Sequence, residues 1–367
     1  MRLLLVISSM GGGGAERVMS LLANGWAASG VQVTLATFES SAKDFYPLEG
    51  SISRRSFNDE CLDHRTILPG SIRRTRWLRE VIQQVGPNVA ISFTDRTNVL
   101  ALLAARGLDV PVIVSERVDP TMYDPGQIWR IGRRLTYPGA TAIVVQTREI
   151  QRWAHHRFPG SPAVIIPNPA PDLVPPGAQS PLPQIIAAGR LTHQKGFDLL
   201  LDAFSQVASR HPDWNLKILG EGEARSKLEA QIRQLGLVGR ATLAGQCFDA
   251  IDQIAASSIF VLSSRFEGFP NVLVEAMSTG RAVVATDCRS GPADLVNHGI
   301  NGLLVPPEDV SALAIAMEHL MVNPADRIRL GSSARTIQER LSLRNIIEQW
   351  NVLIQDCCSQ TSLPHVA

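Results

Sequence analysis

Short apolar runs recur along the chain, each followed by a polar or glycine-containing break and then by apolar residues at helical spacing. In the first half the runs are Leu3–Ser8, Val31–Thr37, Asn88–Phe93, Val110–Ser115 and Ala140–Gln146. In the second they are Gln184–Ala188, Leu216–Gly220, Ala241–Gly245, Ile259–Leu262 and Ala282–Thr286. They are apolar at successive positions instead of alternating, which predicts strands covered on both faces, as in parallel sheets. Between them lie helical stripes: Val18, Leu22 and Trp26 on a helix starting at Ala15, then Leu200, Ala203, Phe204, Val207 and Ala208. Leu313, Ala316, Met317, Leu320 and Met321 form another, and Ile346, Trp350, Leu353 and Ile354 a last one before a tail, Cys358–Ala367, expected to fray. This alternation predicts an α/β protein of doubly wound parallel sheets.

The rhythm breaks once. Pro167, Pro169, Pro171, Pro175, Pro176, Pro181 and Pro183 crowd a stretch that cannot hold regular structure. A chain of 367 residues is long enough for two domains. The expected division is residues 1–168, a linker 169–183, residues 184–343, and a terminal helix and tail over 344–367.

Composition narrows the function. With 45% hydrophobic and 19% charged residues the chain has ample core, and a formal net charge of +1 gives no global field for nucleic acid. Cys61, Cys247, Cys288, Cys357 and Cys358 show no Cys-x-x-Cys spacing, which points to reduced thiols in a cytoplasm. The opening apolar run is too short for a signal peptide core, and no run is long enough to span a bilayer, so membrane contact is expected to be peripheral.

The chemistry concentrates in Ser263-Ser264-Arg265-Phe266-Glu267-Gly268-Phe269-Pro270-Asn271-Val272-Leu273-Val274-Glu275. A strand feeds a short loop, and Pro270 suits the first position of a helix Asn271–Thr279 that stops before Gly280. Free N–H groups and the helix dipole favour a phosphate there. Glu267 and Glu275 bracket that point, Glu275 about 7.5 Å past Pro270 at a helical rise. A bare phosphate would be repelled by both, whereas a nucleotide sugar carries hydroxyls on either side of its diphosphate. Gly189-Arg190-Leu191-Thr192-His193-Gln194-Lys195-Gly196, also between a strand and a helix, supplies Arg190 and Lys195 as the missing positive charge.

Gly-Arg, four residues, Lys-Gly, then Glu-Gly-Phe-Pro, four residues, Glu, resembles the retaining glycosyltransferases of family four, which have the GT-B fold of two Rossmann-like domains facing across a cleft. The loop Gly11-Gly12-Gly13-Gly14-Ala15-Glu16-Arg17 and the segment Ile166-Pro167-Asn168-Pro169 resemble the same family. The resemblance implies an acceptor-binding first domain and a second domain that binds a nucleotide-sugar donor, a UDP-hexose or UDP-N-acetylhexosamine ahead of a GDP-sugar. Arg190, Lys195 and Glu267 would be catalytic, and Gly268, Phe269, Asn271, Val272 and Glu275 would bind the donor. It also implies bacterial enzymes that extend polyprenyl-diphosphate-linked oligosaccharides or exopolysaccharide units, working at an anionic membrane surface, with no cofactor. The absence of Asp-x-Asp favours metal-independent chemistry.

On the acceptor side the candidates are Gly13, Gly14, Asp95, Glu116, Arg117, Arg73, Arg76 and Arg79. The last three, with Arg65 and Arg74 near, form a helical stripe suited to lipid headgroups or a lipid diphosphate, or to plain solvation. Arg117 stands where many family members have His, and it can bind anions but not act as a base near neutral pH. Asp95 or Glu116 could take the acceptor's proton, as could a donor phosphate oxygen; Glu116 and Arg117 could equally pair with each other. A second basic-aromatic patch, Trp129–Tyr137, suits either a membrane surface or ordinary packing. Three other readings stay open. One is a sugar-nucleotide epimerase. A second is a nicotinamide-dependent oxidoreductase using Gly11–Gly14 with Glu39, against which Glu16 stands where a third glycine belongs. The third is a glycan- or lipid-binding protein with a dead site.

Overall fold

The computed structural model describes residues 1–61, 69–173 and 181–361. Arg65, Pro175 and Pro176 lie outside the described residues. The chain divides into two compact units, one of Met1–Pro169 with Leu343–Ala367 and one of Ala170–Ser342.

The first unit is built on seven parallel strands: β1 (Arg2–Ile7), β2 (Gln32–Thr37), β3 (Ser53–Ser56), β4 (Val89–Phe93), β5 (Val112–Ser115), β6 (Ala142–Val145) and β7 (Ala163–Ile165), in the order β3-β2-β1-β4-β5-β6-β7. The second has six: β8 (Leu182–Ala188), β9 (Asn215–Leu219), β10 (Ala241–Gly245), β11 (Ser257–Leu262), β12 (Ala282–Thr286) and β13 (Leu303–Val305), in the order β10-β9-β8-β11-β12-β13. Strands that read as continuous apolar runs are buried throughout, Leu3–Ile7 and Ile259–Leu262 among them. β3, Ser-Arg-Arg-Ser, escaped the sequence reading because an edge strand needs no apolar run: Arg54 instead forms a bidentate pair with Asp44. β7 and β13 are three-residue edge strands, too short to leave a pattern.

In each sheet the winding reverses direction once. After β1 the chain adds β2 and β3 on one side, then returns to lay β4 on the other; after β8 it adds β9 and β10, then returns to lay β11. The strand ends flanking that reversal diverge and open a crevice, the place where doubly wound sheets bind ligands. In the second unit the loops at this point are those following β8 and β11, which hold both candidate motifs, Gly189–Gly196 and Ser263–Glu275.

The terminal helix Leu343–Thr361 belongs to the first unit. Trp350 is buried against Trp26 and Phe93, each with ring centroids 6.2 Å away, and Trp26 Nε1 donates to Asn351 Oδ1 at 2.9 Å. Gly25 makes this approach possible, since a Cβ there would fall 2.2 Å from Ile347 Cδ1. Trp350→Ala is therefore expected to cost about 3–5 kcal/mol in denaturant unfolding. Val352→Ala, on the exposed side of the same helix, should stay within about 0.5 kcal/mol of the parent.

Candidate active site

The loops after β8 and β11 are laced into one structure. Arg265 N donates to Gln194 O at 2.8 Å, Gln194 Nε2 to Phe266 O at 3.0 Å, and Ser263 Oγ to Lys195 O at 2.9 Å. Gly196, at φ 61°, is the point of closest approach: a Cβ would fall 2.1 Å from Ser263 O, a clash that no L side chain could avoid. Neighbouring loops close in the same way. A Cβ on Gly220, after β9, would lie 1.9 Å from Gly189 O, and one on Gly291, after β12, 2.6 Å from Pro270 Cδ.

This lacing brings Lys195 Nζ to 2.6 Å from Glu267 Oε1, which also accepts from Ser264 Oγ at 2.6 Å. Glu267 is buried, and Ser264 is held in turn through its carbonyl, which accepts from Thr286 Oγ1 at 2.6 Å. Arg190 is exposed and has no side-chain partner among the described residues. Arg265, to which the sequence assigned no role, clamps the loop pair from behind. Its guanidinium grips Asp198 at 2.6 and 2.8 Å, reaches Glu308 at 3.0 Å and caps His193 O at 2.9 Å. Its hydrogen bonds to Asp198 raise its pKa further, so the clamp is permanently charged. Nothing in the sequence flags this pair, because 67 residues separate its members.

The helix is Asn271–Ser278, with Pro270 as its cap residue instead of its first helical position. Asn271 N–H donates to Phe269 O at 3.0 Å and is spent, whereas Val272 N–H has no partner among the described residues. Gly268 O accepts from Ser290 Oγ at 3.2 Å, fixing the peptide between the glutamate and the helix. Glu275 sits partly exposed on the first turns of the helix, and Phe269 is buried beneath the loop.

Two family models match in succession, "Glycosyl transferase 4-like domain" over residues 13–169 and "Glycosyl transferases group 1" over residues 182–323. The chain belongs to these glycosyltransferases. A Haemophilus influenzae protein named as an uncharacterized glycosyltransferase is 27% identical over 93% of this chain and 96% of its own length. A Campylobacter jejuni alpha-1,4-N-acetyl-D-galactosaminyltransferase, named for an undecaprenol-PP-linked acceptor, is 26% identical over 97% and 99%. Among solved structures, HepE from Anabaena in complex with UDP superposes with a TM-score of 0.79 at 19% identity, covering 97% of this chain and all of that one. The lipopolysaccharide outer core galactosyltransferase WaaB in its apo form gives 0.76 at 20% identity, over 97% and 99%. The fold is thus GT-B, and the chain is an enzyme of the glycosyltransferase class.

In this glycosyltransferase the acceptor-side candidates are scattered. Gly13 and Gly14 open the helix Gly14–Ala28, but Glu16 folds back so that its Oε2 lies 2.2 Å from where a Gly13 Cβ would be, and its Oε1 meets Ser9 Oγ at 3.3 Å. A carboxylate there opposes a diphosphate at this helix start. Glu39, the acid a dinucleotide site would need, pairs with Lys43 at 2.9 Å. In the helix Gly70–Val85, Arg79 caps the carbonyls of Ala104 and Arg106 at 2.9 and 2.7 Å, Arg73 stacks 5.5 Å from the Phe57 ring centre, and Arg76 is exposed. The three therefore do not form one free stripe.

Glu116 and Arg117 do not pair. Glu116 is fully buried; its Oε1 accepts from Tyr137 Oη at 2.5 Å and lies 3.4 Å from Arg133 Nε. Arg133 Nη2 is 3.6 Å from Asp95 Oδ2, so one buried guanidinium serves two carboxylates. Burial raises the Glu116 carboxyl, against the pull of Arg133, and leaves it no path to a substrate hydroxyl. Arg117 stacks over Phe93, 3.5 Å from the ring centre, and donates from Nη1 to Asn168 Oδ1 at 2.6 Å. The residue is partly exposed, but its Nε and Nη2 are enclosed without a hydrogen bond, and burial pushes it down to about 9, still cationic at neutral pH. Thr94 precedes Asp95 at φ 75°, a strained value for a β-branched residue, beside the reversal point of this sheet. Among the described residues no three His, Cys, Asp or Glu side chains cluster closely enough to hold a metal ion.

Arg133→Leu leaves the buried Glu116 carboxylate without its cation and is expected to destabilise by about 3–5 kcal/mol, with Glu116→Gln in the same background restoring part of the loss. Because burial raises the folded Glu116 carboxyl, the stability contributed by its neutral form is full below its unfolded pKa and is lost as pH rises through the folded one, all the more once Arg133 no longer opposes the shift. Arg133→Leu should therefore unfold more readily at about pH 8 than at about pH 5, by chemical denaturation at both values.

Proposed function

We propose that this glycosyltransferase is a retaining enzyme that moves a hexose or N-acetylhexosamine from a UDP-sugar to a lipid-linked glycan acceptor at an anionic membrane surface, in cell-surface polysaccharide assembly. The observation that carries the reading is the meeting of Lys195 with Glu267 at the reversal point of the second sheet, beside unpaired Arg190. A cation, a carboxylate and an unused Val272 N–H there match a diphosphate flanked by hydroxyls. The UDP-bound structure of HepE and the undecaprenol-PP acceptor in the name of the Campylobacter relative support the donor and acceptor classes.

In this mechanism Arg190 and Lys195 hold the diphosphate and stabilise the charge that grows on it as the glycosidic bond breaks. Val272 N–H adds a neutral donor. Glu275 accepts hydrogen bonds from the ribose. Glu267, with the Gly268–Phe269 backbone, contacts the sugar, and its bond to Lys195 keeps the ammonium aimed at the phosphate. The acceptor hydroxyl attacks from the face the diphosphate leaves, and a phosphate oxygen takes its proton, so the configuration is retained without a covalent sugar–enzyme bond. Arg117, cationic and held by Phe93 and Asn168, orients an anionic group of the acceptor. Asp95 is drawn to Arg133, which favours the phosphate oxygen as base.

Saturating UDP at about 100 times its Kd should raise stability by about 2.7 kcal/mol, read as a thermal shift, with GDP and nicotinamide dinucleotides giving less. Arg190→Ala, which breaks no side-chain hydrogen bond or ion pair among the described residues, should keep the melting temperature and cut turnover about 10²–10³-fold. Absence of UDP stabilisation, or full turnover in the Arg190 variant, would sink the reading.

A further inference from the structure

The helix Gln127–Thr136 is turned inside out. Ile128, Ile131 and Leu135 are exposed at 80%, 59% and 74%, while Arg133 is buried at 6%. At 100° per residue the three apolar side chains share an arc of about 60°. The adjoining side, from Gly132 round to Arg133, packs inward: Gly132 lies so close to the helix Asp95–Ala105 that a Cβ would fall 3.0 Å from Val99 Cγ1. The outward arc is therefore fixed by the buried side, through Arg133 and its two carboxylates.

The two flanks of the arc differ. On one, Arg130, Arg134 and Arg157 rim a depression of about 310 Å³ that also takes in Met122 and Tyr123. Its one carboxylate, Asp124, pairs with Arg130 at 3.5 Å; Arg134 and Arg157 are exposed and have no partner among the described residues. On the other flank, Leu102, Leu103, Leu108 and Leu135, together with Arg106 and Thr136, line a groove of mixed polarity of about 370 Å³. The helix itself carries no acid.

We propose that this face is a membrane-docking surface: the helix Gln127–Thr136 lies in the plane of an anionic lipid bilayer, with Ile128, Ile131 and Leu135 among the acyl chains and Arg130, Arg134 and Arg157 against lipid phosphates. An in-plane helix needs this combination of outward apolar residues and flanking cations. No described helix is long and apolar enough to cross a membrane, so the contact is interfacial. A second copy of the chain is the poorer occupant, because a two-fold contact through this arc would set the same arginines against each other. The inference rests on the reading of a membrane-borne acceptor and names the element that reaches the membrane, in place of the helix Gly70–Val85, two of whose arginines are engaged internally.

The test is flotation of the full chain with vesicles of phosphatidylglycerol and phosphatidylcholine, or of phosphatidylcholine alone, without any polyprenyl lipid. The chain should float with the anionic vesicles and release with salt. Ile128→Ser, Ile131→Ser and Leu135→Ser combined should lower partition at least about tenfold, since three exposed apolar side chains lose their burial. Arg130→Gln with Arg134→Gln should weaken binding to anionic vesicles about fivefold per charge. Arg76→Gln should stay within about twofold, the charge lying on the other helix. The UDP thermal shift, unchanged in each variant, shows that the fold is kept and separates failure of docking from failure of the donor reading. An unbound parent chain, or a serine variant that floats like the parent, overturns the proposal. So does a concentration-dependent dimer that the serine variant dissolves while vesicles capture neither.

Discussion

The bond between Lys195 and Glu267 ties together the two loops proposed to hold the donor. It joins loops 72 residues apart and does so in a partly dry setting, where an ammonium and a carboxylate 2.6 Å apart attract strongly but each alone would be costly. The surrounding structure exists to meet that condition. Gly196 lets one backbone touch the other, Ser264, itself held by Thr286, donates to the same carboxylate oxygen, and the Arg265–Asp198 clamp keeps the loops from parting. Loops so braced hold their charges in fixed positions, the preorganisation that the proposed diphosphate site requires.

The first unit solves a related problem with a different purpose. Arg133 is buried between Asp95 and Glu116 and beside Tyr137, so its helix cannot rotate without stranding two carboxylates. That anchoring turns Ile128, Ile131 and Leu135 outward. A buried ion cluster and an exposed apolar arc are thus two faces of one arrangement, the first accounting for the second.

Much of the architecture was legible because doubly wound sheets write themselves as apolar runs. Buried central strands such as β1, β4, β8 and β11 have no choice of composition. The edge strand β3 does and was invisible for that reason, whereas β7 and β13, apolar but three residues long, were too short to leave a pattern. At the candidate site, Arg190, Lys195, Glu267 and Glu275 stood out as candidates because their loops follow strands and open helices. Arg265 and Asp198 could not, since a clamp needs only complementary charge at the right place in space. Of the alternatives left open for Glu116, pairing with Arg117 fails: at the end of β5 the two residues diverge, one into the core and one across Phe93. Adjacent positions on extended backbone point to opposite sides, and sequence proximity disguised this.

Residue pattern alone was enough for the class of fold and the two-part organisation, and it singled out the loops proposed to carry the chemistry, because burial on both sheet faces and the shape of strand–helix turns restrict which residues fit. Only the tertiary structure decided which charges meet. Coulombic and hydrogen-bonding partners are chosen by distances of a few ångströms between segments far apart in the chain. Pairing Glu267 with Lys195, Glu116 with Arg133 and Asp198 with Arg265 required the folded sheets to bring them together.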